Sequence, residues 1–377
     1  MKRILILSFM VSVLFTLSAG AQSLRATVKQ IKSLRNVSFT EVVKFKFSFQ
    51  DEFSLDTLNS KMFIVTGEPQ IGGYYKIDGH QQQYLFDGNK SISLNLKDKT
   101  YRMSKQAIVN QFTRSLLYWQ KQMEAYLKSP AKIKQLKDTM ISKVVYNYFM
   151  VTRKDTVQKN EHIHDLVYLV TDKRTYLPVL IKSDFKGFAN DGALIGAIEQ
   201  HSFTNYKLNQ KNFPDLSETK VPDGFKLPVK SIKPVPLAIG TKAPQIDLQD
   251  ATGNTFDLGR LKNKTVLLNF ALLGCPHCIN SAQMLNRLYD KFKGHNFEII
   301  SIYQLKNDHH EGISKFDKKF NINYPSYTTG NDAEKIYRFQ GYPYFFLIDK
   351  QGHIAQAYEG FYLDLEKELT DKIESIK

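Results

Sequence analysis

Thr265-Val266-Leu267-Leu268-Asn269-Phe270-Ala271-Leu272-Leu273-Gly274-Cys275-Pro276-His277-Cys278 contains the only two cysteines of a 377-residue chain. The segment from Thr265 to Leu272 has the length and apolar content of a buried strand. Beyond the cysteines, Ile279, Ala282, Leu285, Leu288, Tyr289 and Phe292 recur at helical spacing. Both thiols therefore fall where a strand hands over to the first turn of a helix. The unpaired N–H groups and the positive end of the helix dipole at that point stabilise a thiolate. A dithiol/disulfide redox pair is the most economical reading of the stretch.

The start of the chain supports an oxidising compartment. Met1-Lys2-Arg3 is followed by an apolar run from Ile4 to Leu17, and Ala19-Gly20-Ala21 has the small residues of a signal peptidase site. Residues 1–21 are expected to be a signal peptide cleaved after Ala21, leaving a periplasmic or otherwise exported protein that begins at Gln22. The apolar run is shorter than the roughly 20 residues of a transmembrane helix; an uncleaved anchor is the alternative. An exported chain without stapling disulfides must hold its fold by burial. The single Cys pair is then functional rather than structural.

Charge says less. The formal balance is +15, but the lysines are spread along the chain with no dense run. A solvated basic surface explains this as well as an acidic or anionic-lipid partner does. Export and the lack of a binding motif argue against nucleic acid. Nothing resembles a phosphate loop, a zinc-protease helix or a serine elbow.

Proline marks a boundary. Pro214, Pro222, Pro228, Pro234 and Pro236 fall close together, and proline interrupts both helix and sheet. Residues 213–236 are expected to form a linker between a β-rich domain over 22–212 and a second domain over 237–377. In the first, Val43, Phe45, Phe47 and Phe49 alternate with Lys44 and Lys46. Similar segments recur at 61–66, 73–77, 83–86, 91–96, 141–152, 165–171, 178–182 and 198–208. Asp78-Gly79, Asp87-Gly88 and Asp191-Gly192 supply turns between them. Ile108, Phe112, Leu116, Trp119, Met123 and Leu127 predict one helix over 104–127.

Tyr84-Leu85-Phe86-Asp87-Gly88, Ser93-Leu94-Asn95-Leu96 and Thr171-Asp172-Lys173-Arg174-Thr175-Tyr176-Leu177-Pro178 give residues 36–210 a resemblance to LolA-type lipoprotein carriers. That likeness implies a curved antiparallel half-barrel with a helix, either binding lipid or serving as a docking or spacing module.

After the linker, strands alternate with helices and end in a hairpin around Asp349-Lys350-Gln351-Gly352, which argues a mixed α/β sheet. Strands are expected near Gln245–Leu248, Thr265–Leu272, Phe297–Tyr303, Tyr324–Tyr327, Tyr344–Ile348 and His353–Ala357. Helices are expected after the cysteines, at Gly312–Phe320, at Ala333–Phe339 and at the chain end. Gly240-Thr241-Lys242-Ala243-Pro244, Leu268-Asn269-Phe270, Cys275-Pro276-His277-Cys278, Gly341-Tyr342-Pro343 and Phe346-Leu347-Ile348-Asp349-Lys350-Gln351-Gly352 follow in order. Through them the domain resembles the thioredoxin superfamily and its TlpA/ResA-like periplasmic branch.

The resemblance implies a thioredoxin fold, a catalytic dithiol and no cofactor. Cys275 would be the attacking thiolate and Cys278 the resolving thiol. His277 would favour the Cys275 thiolate, as the Pro-His pair does in DsbA. Pro343 would be a cis proline leaving an adjacent backbone edge for substrate; a plain tight turn is the alternative. Gly341, Tyr342 and Pro276 would border the substrate, and Gly341 would give the chain room near the dithiol. Ala271 and Gly274 replace the tryptophans that usually flank the motif, and Asn269 stands where thioredoxin has a buried acid, so no side-chain proton acceptor for Cys278 is evident there. Expected partners are cysteine-containing exported proteins, with a membrane electron donor or acceptor.

Two histidine groupings read as structural rather than as metal sites. They are His309-His310 with Asp308 and Glu311, a soluble loop, and Glu161 with His162 and His164, a polar strand face. The leading function is an exported thiol–disulfide oxidoreductase. A lipid- or protein-binding module with an accessory thioredoxin-like domain is the alternative, and the close Cys pair argues against a peroxidase.

Overall fold

The computed structural model describes residues 19–108, 113, 115–229, 233–304 and 310–376. The chain forms two compact units. The first comprises Met1–Phe45, Phe53–Asp184 and Ile198–Pro228, and the second Lys46–Glu52, Phe185–Ala197 and Val229–Lys377.

The alternating segments pair into one twelve-stranded sheet. Its strands are β1 (Asn36–Phe47), β2 (Ser54–Ile64), β3 (Gly73–Asp78), β4 (Gln82–Phe86), β5 (Ser91–Asn95), β6 (Thr100–Ser104), β7 (Ile133–Gln135), β8 (Thr139–Ile141), β9 (Val144–Gln158), β10 (Glu161–Thr171), β11 (Pro178–Phe188) and β12 (Leu194–Leu208). They lie in the order β6-β5-β4-β3-β2-β1-β12-β11-β10-β9-β7, with β8 paired to β9. Hairpin neighbours run antiparallel, and the order ends at open edges rather than closing into a barrel.

Among the described residues, two helices complete the apolar core of this unit. α1 (Ala19–Ser33) spans the cleavage point expected after Ala21, and Leu24, Val28 and Ile31 beyond that point are buried at three- and four-residue steps. α2 (Leu116–Tyr126) is shorter than the helix expected over 104–127. Thr100–Ser104 pairs as a strand instead, and Ser115 caps the helix by accepting the Tyr118 N–H. Phe112 of the expected stripe lies outside the described residues. Within the core, Glu41 takes the register of Val37, Phe39 and Val43, fully buried, and its Oε1 lies 2.5 Å from His201 Nδ1. The last stretch of the unit is tied down too. Leu216 is buried, and Thr219 donates its N–H and hydroxyl to Asp87 Oδ2.

The second unit has a seven-stranded sheet. Its strands are β13 (Leu248–Gln249), β14 (Thr255–Phe256), β15 (Thr265–Ala271), β16 (Phe297–Gln304), β17 (Ser326–Thr329), β18 (Tyr344–Ile348) and β19 (Ile354–Glu359), in the order β14-β13-β17-β16-β15-β18-β19. β15 is parallel to β16 and antiparallel to β18, and every one of its residues is buried. Coverage on both faces explains its unbroken apolar run. In β18, Tyr344, Phe346 and Ile348 join one core and Phe345 and Leu347 another.

The helices of this unit are α3 (Pro276–Phe292), α4 (His310–Phe320), α5 (Ala333–Tyr337) and α6 (Leu365–Ser375). α5 stops earlier than expected because Arg338 adopts the left-handed conformation, φ 55°. The expected strand at Tyr324–Tyr327 begins only at Ser326, after Pro325. Among the described residues no helix is long and apolar enough to cross a membrane.

Candidate active site

The two sulfurs sit at the C-terminal end of β15, where the chain turns into α3. Cys275 is the N-cap of α3, and Pro276 occupies the first helical position, where a missing N–H costs nothing. The cap places the Cys278 N–H 3.3 Å from Cys275 Sγ. Both cysteines are free thiols, Cys275 half-buried and Cys278 only 2% exposed. Hydrogen bonds from the Cys278 thiol, and then from the backbone N–H groups of Cys278 and His277, bring the Cys275 thiol down to about 7 against the opposing effect of burial. A large thiolate fraction at neutral pH is the chemical result.

The 341–343 loop stands across from the sulfur. Cys275 Sγ–H points to the Tyr342 carbonyl oxygen at 3.7 Å, and the Tyr342–Pro343 peptide is cis. The Tyr342 hydroxyl accepts from Gln304 Nε2 at 2.5 Å, which anchors the ring to the end of β16. Gly341 has φ 92°, and a Cβ added there would meet no atom of the described residues within 4 Å. Room was the expected reason for this glycine; within the chain the requirement is its left-handed backbone. Gly274, where a flanking tryptophan was expected by resemblance, has φ 80° and the same requirement.

His277 turns toward residues 185–197 of its own unit. Its Nδ1 lies 3.3 Å from Asp191 Oδ2 without the alignment of a hydrogen bond. One turn along α3, Asn280 Oδ1 accepts the Leu194 N–H at 2.9 Å and Asn280 Nδ2 donates to Leu194 O at 3.2 Å. Asp191 and Asn280 had no signal of their own in the sequence. Asp191-Gly192 reads only as a turn, and the contact spans 86 residues of chain.

Under the dithiol, Asn269 Nδ2 donates to Ser301 Oγ at 2.7 Å, while Asn269 Oδ1 is buried without a partner among the described residues. Cys278 packs with Ala271, Tyr303 and Ile313. An open groove of about 580 Å³ borders Leu273 and Gly274, with Phe49, Phe316 and Phe320 in its walls.

His162 and His164 lie on one strand face, each against a carboxylate, Asp155 at 2.6 Å and Asp184 at 3.1 Å. Asp308, His309 and the His310 side chain lie outside the described residues.

Residues 239–358 match the AhpC/TSA family. Thiol-disulfide oxidoreductase ResA of Bacillus thuringiensis subsp. konkukian is 31% identical over 125 residues, 33% of this chain and 71% of that protein. ResA of Geobacillus kaustophilus is 30% identical over 144 residues, 37% of this chain and 79% of that protein. A structure described as a putative thiol:disulfide interchange protein DsbE from Chlorobium tepidum covers 37% of this chain and 98% of its own, at 23% identity and a TM-score of 0.35. By the extent of the ResA match, the chain belongs to the thioredoxin-fold thiol–disulfide oxidoreductases that include ResA.

Proposed function

We propose that the protein is an exported oxidoreductase that exchanges disulfides with cysteines of other exported proteins through Cys275 and Cys278. The observation that carries this reading is the half-buried Cys275 thiol at a helix N-cap, held near 7 by donors from Cys278 and His277, with its resolving partner one turn inward. The signal-like start, Lys2-Arg3 before an apolar run, supports export.

In the reducing direction, Cys275 thiolate attacks one sulfur of a substrate disulfide. The substrate S–S bond breaks, a mixed disulfide forms and a substrate thiolate leaves, taking a proton from solvent. Cys278 then loses its proton and attacks the Cys275 sulfur. That closes the Cys275–Cys278 bond and frees the second substrate thiol, so two electrons pass from the protein to the substrate. The oxidising direction is the reverse. Tyr342 and Gly341 would border the substrate chain, Pro276 would shape the cap, and Pro343 would complete the loop facing the sulfur.

The test is equilibration of the mature protein in glutathione or dithiothreitol buffers. A reversible two-electron couple is expected, and Cys275→Ser should abolish it together with disulfide exchange. A value near the about −270 mV of thioredoxin would mark a reductant fed by a membrane electron donor, and one near the about −120 mV of DsbA an oxidant. Exchange activity that survives in Cys275→Ser would overturn the reading.

A further inference from the structure

Among the described residues, the Asp191 carboxylate stands 3.3 Å from the motif's His277. Asp191 belongs to the β11–β12 turn, and that turn is held at several points within its unit. Ala193 is fully buried, Leu194 exchanges two hydrogen bonds with Asn280, and a Cβ on Gly192 would collide with Leu363. Asp191 divides its two oxygens. Oδ1 accepts the Ala193 N–H at 3.0 Å and shapes the turn, which leaves Oδ2 at 3.3 Å from His277 Nδ1. The His277 backbone N–H is in turn one of the donors to Cys275. A fixed carboxylate thus sits against the imidazole of the residue between the two cysteines.

We propose that Asp191 is a positioning residue that orients His277 and, by its charge, lowers the oxidising power of the Cys275/Cys278 disulfide. A positive or donating imidazole beside Cys275 stabilises the thiolate and with it the reduced form. A carboxylate in contact with that imidazole offsets its field and disfavours a second negative charge nearby. The Pro-His dipeptide alone points toward an oxidant; Asp191 moves the balance back toward a reductant. The inference rests on dithiol exchange at Cys275 and Cys278 as proposed above.

Asp191→Asn isolates the charge, because the amide oxygen can still accept the Ala193 N–H. Wild type and variant, both as the full mature chain, are equilibrated in glutathione redox buffers and the reduced fraction is read by alkylation and mass. The variant is expected to favour the dithiol by about three- to tenfold, the upper figure being about 30 mV for a two-electron couple. Its Cys275 thiolate should also form at lower pH. Asp191→Glu should restore most of the wild-type balance, and in a His277→Ala background Asp191→Asn should lose most of its effect. Asp191→Ser, which keeps a turn acceptor, serves should the amide variant fail to fold. An equilibrium constant within about twofold of wild type, or a shift toward the disulfide, overturns the proposal while leaving dithiol exchange intact. Absence of any reversible couple in the wild type overturns both.

Discussion

Cys275 and Cys278 were legible because strand, cap and helix each leave a pattern in the sequence. The neighbours Asp191 and Asn280 were not, because the fold alone brings Asp191 to His277 and Asn280 to Leu194. Asp317 is a further case. It sits on α4 one turn beyond Ile313, which packs with Cys278, and nothing in Phe316-Asp317-Lys318-Lys319 marks it as inward-facing. Burial pushes its carboxyl up to about 6, against a hydrogen bond from Ser326 Oγ at 3.1 Å. Its folded value lies above its unfolded one, near 4, so the folded state holds the extra proton between them. Stability therefore falls as pH rises from about 4 to 6, and the ionised group costs stability at neutral pH. Asp317→Asn is expected to stabilise the protein by about 1 kcal/mol at pH 7 and by nothing near pH 4, as read from urea denaturation at both values.

At the scale of elements, the sequence spoke clearly where one period ran undisturbed. β15 appeared as a continuous apolar run and α3 as a helical stripe, and both formed as expected. α1 was hidden because its first residues read as a cleavage site, so the spacing of Leu24, Val28 and Ile31 had no competing signal to prompt a helix. The expected start of α2 at Ser104 was misplaced because that residue closes β6, which pairs with β5. Ser115 decides the true start: its buried side chain accepts the Tyr118 N–H at 3.2 Å. Ser115→Ala should cost about 1 kcal/mol. Trp119, the chain's only tryptophan and nearly buried on this helix, makes its fluorescence the direct readout. An unchanged denaturation midpoint would show that the cap contributes nothing.

Across the whole molecule, two titrations pull in opposite directions. In the first unit burial lowers the affinity of His201 for its proton, but Glu199 and Glu41 outweigh it and raise the imidazole to about 9. The Glu41 contact is the shorter, 2.5 Å against 3.5 Å, and both of its partners are buried. A raised folded value means stability that is fully present below about 6.5 and lost as pH rises through about 9. The second unit needs the opposite trend, since the Cys275 thiolate fills as pH rises through about 7. Trp119 meets the His201 ring at 5.1 Å and should report the loss between pH 7 and 9, with a smaller slope in Glu41→Gln. A flat stability profile over that range would remove His201 from the account. Glu41 was the visible clue, a lone acid in an apolar register, although its partner 160 residues away was not. Last, the confinement of both cysteines to one four-residue segment makes the chain unable to cross-link itself wrongly. On a non-reducing gel, any band slower than the chain itself is a second molecule, and its mass tells whether that molecule is a customer or a twin.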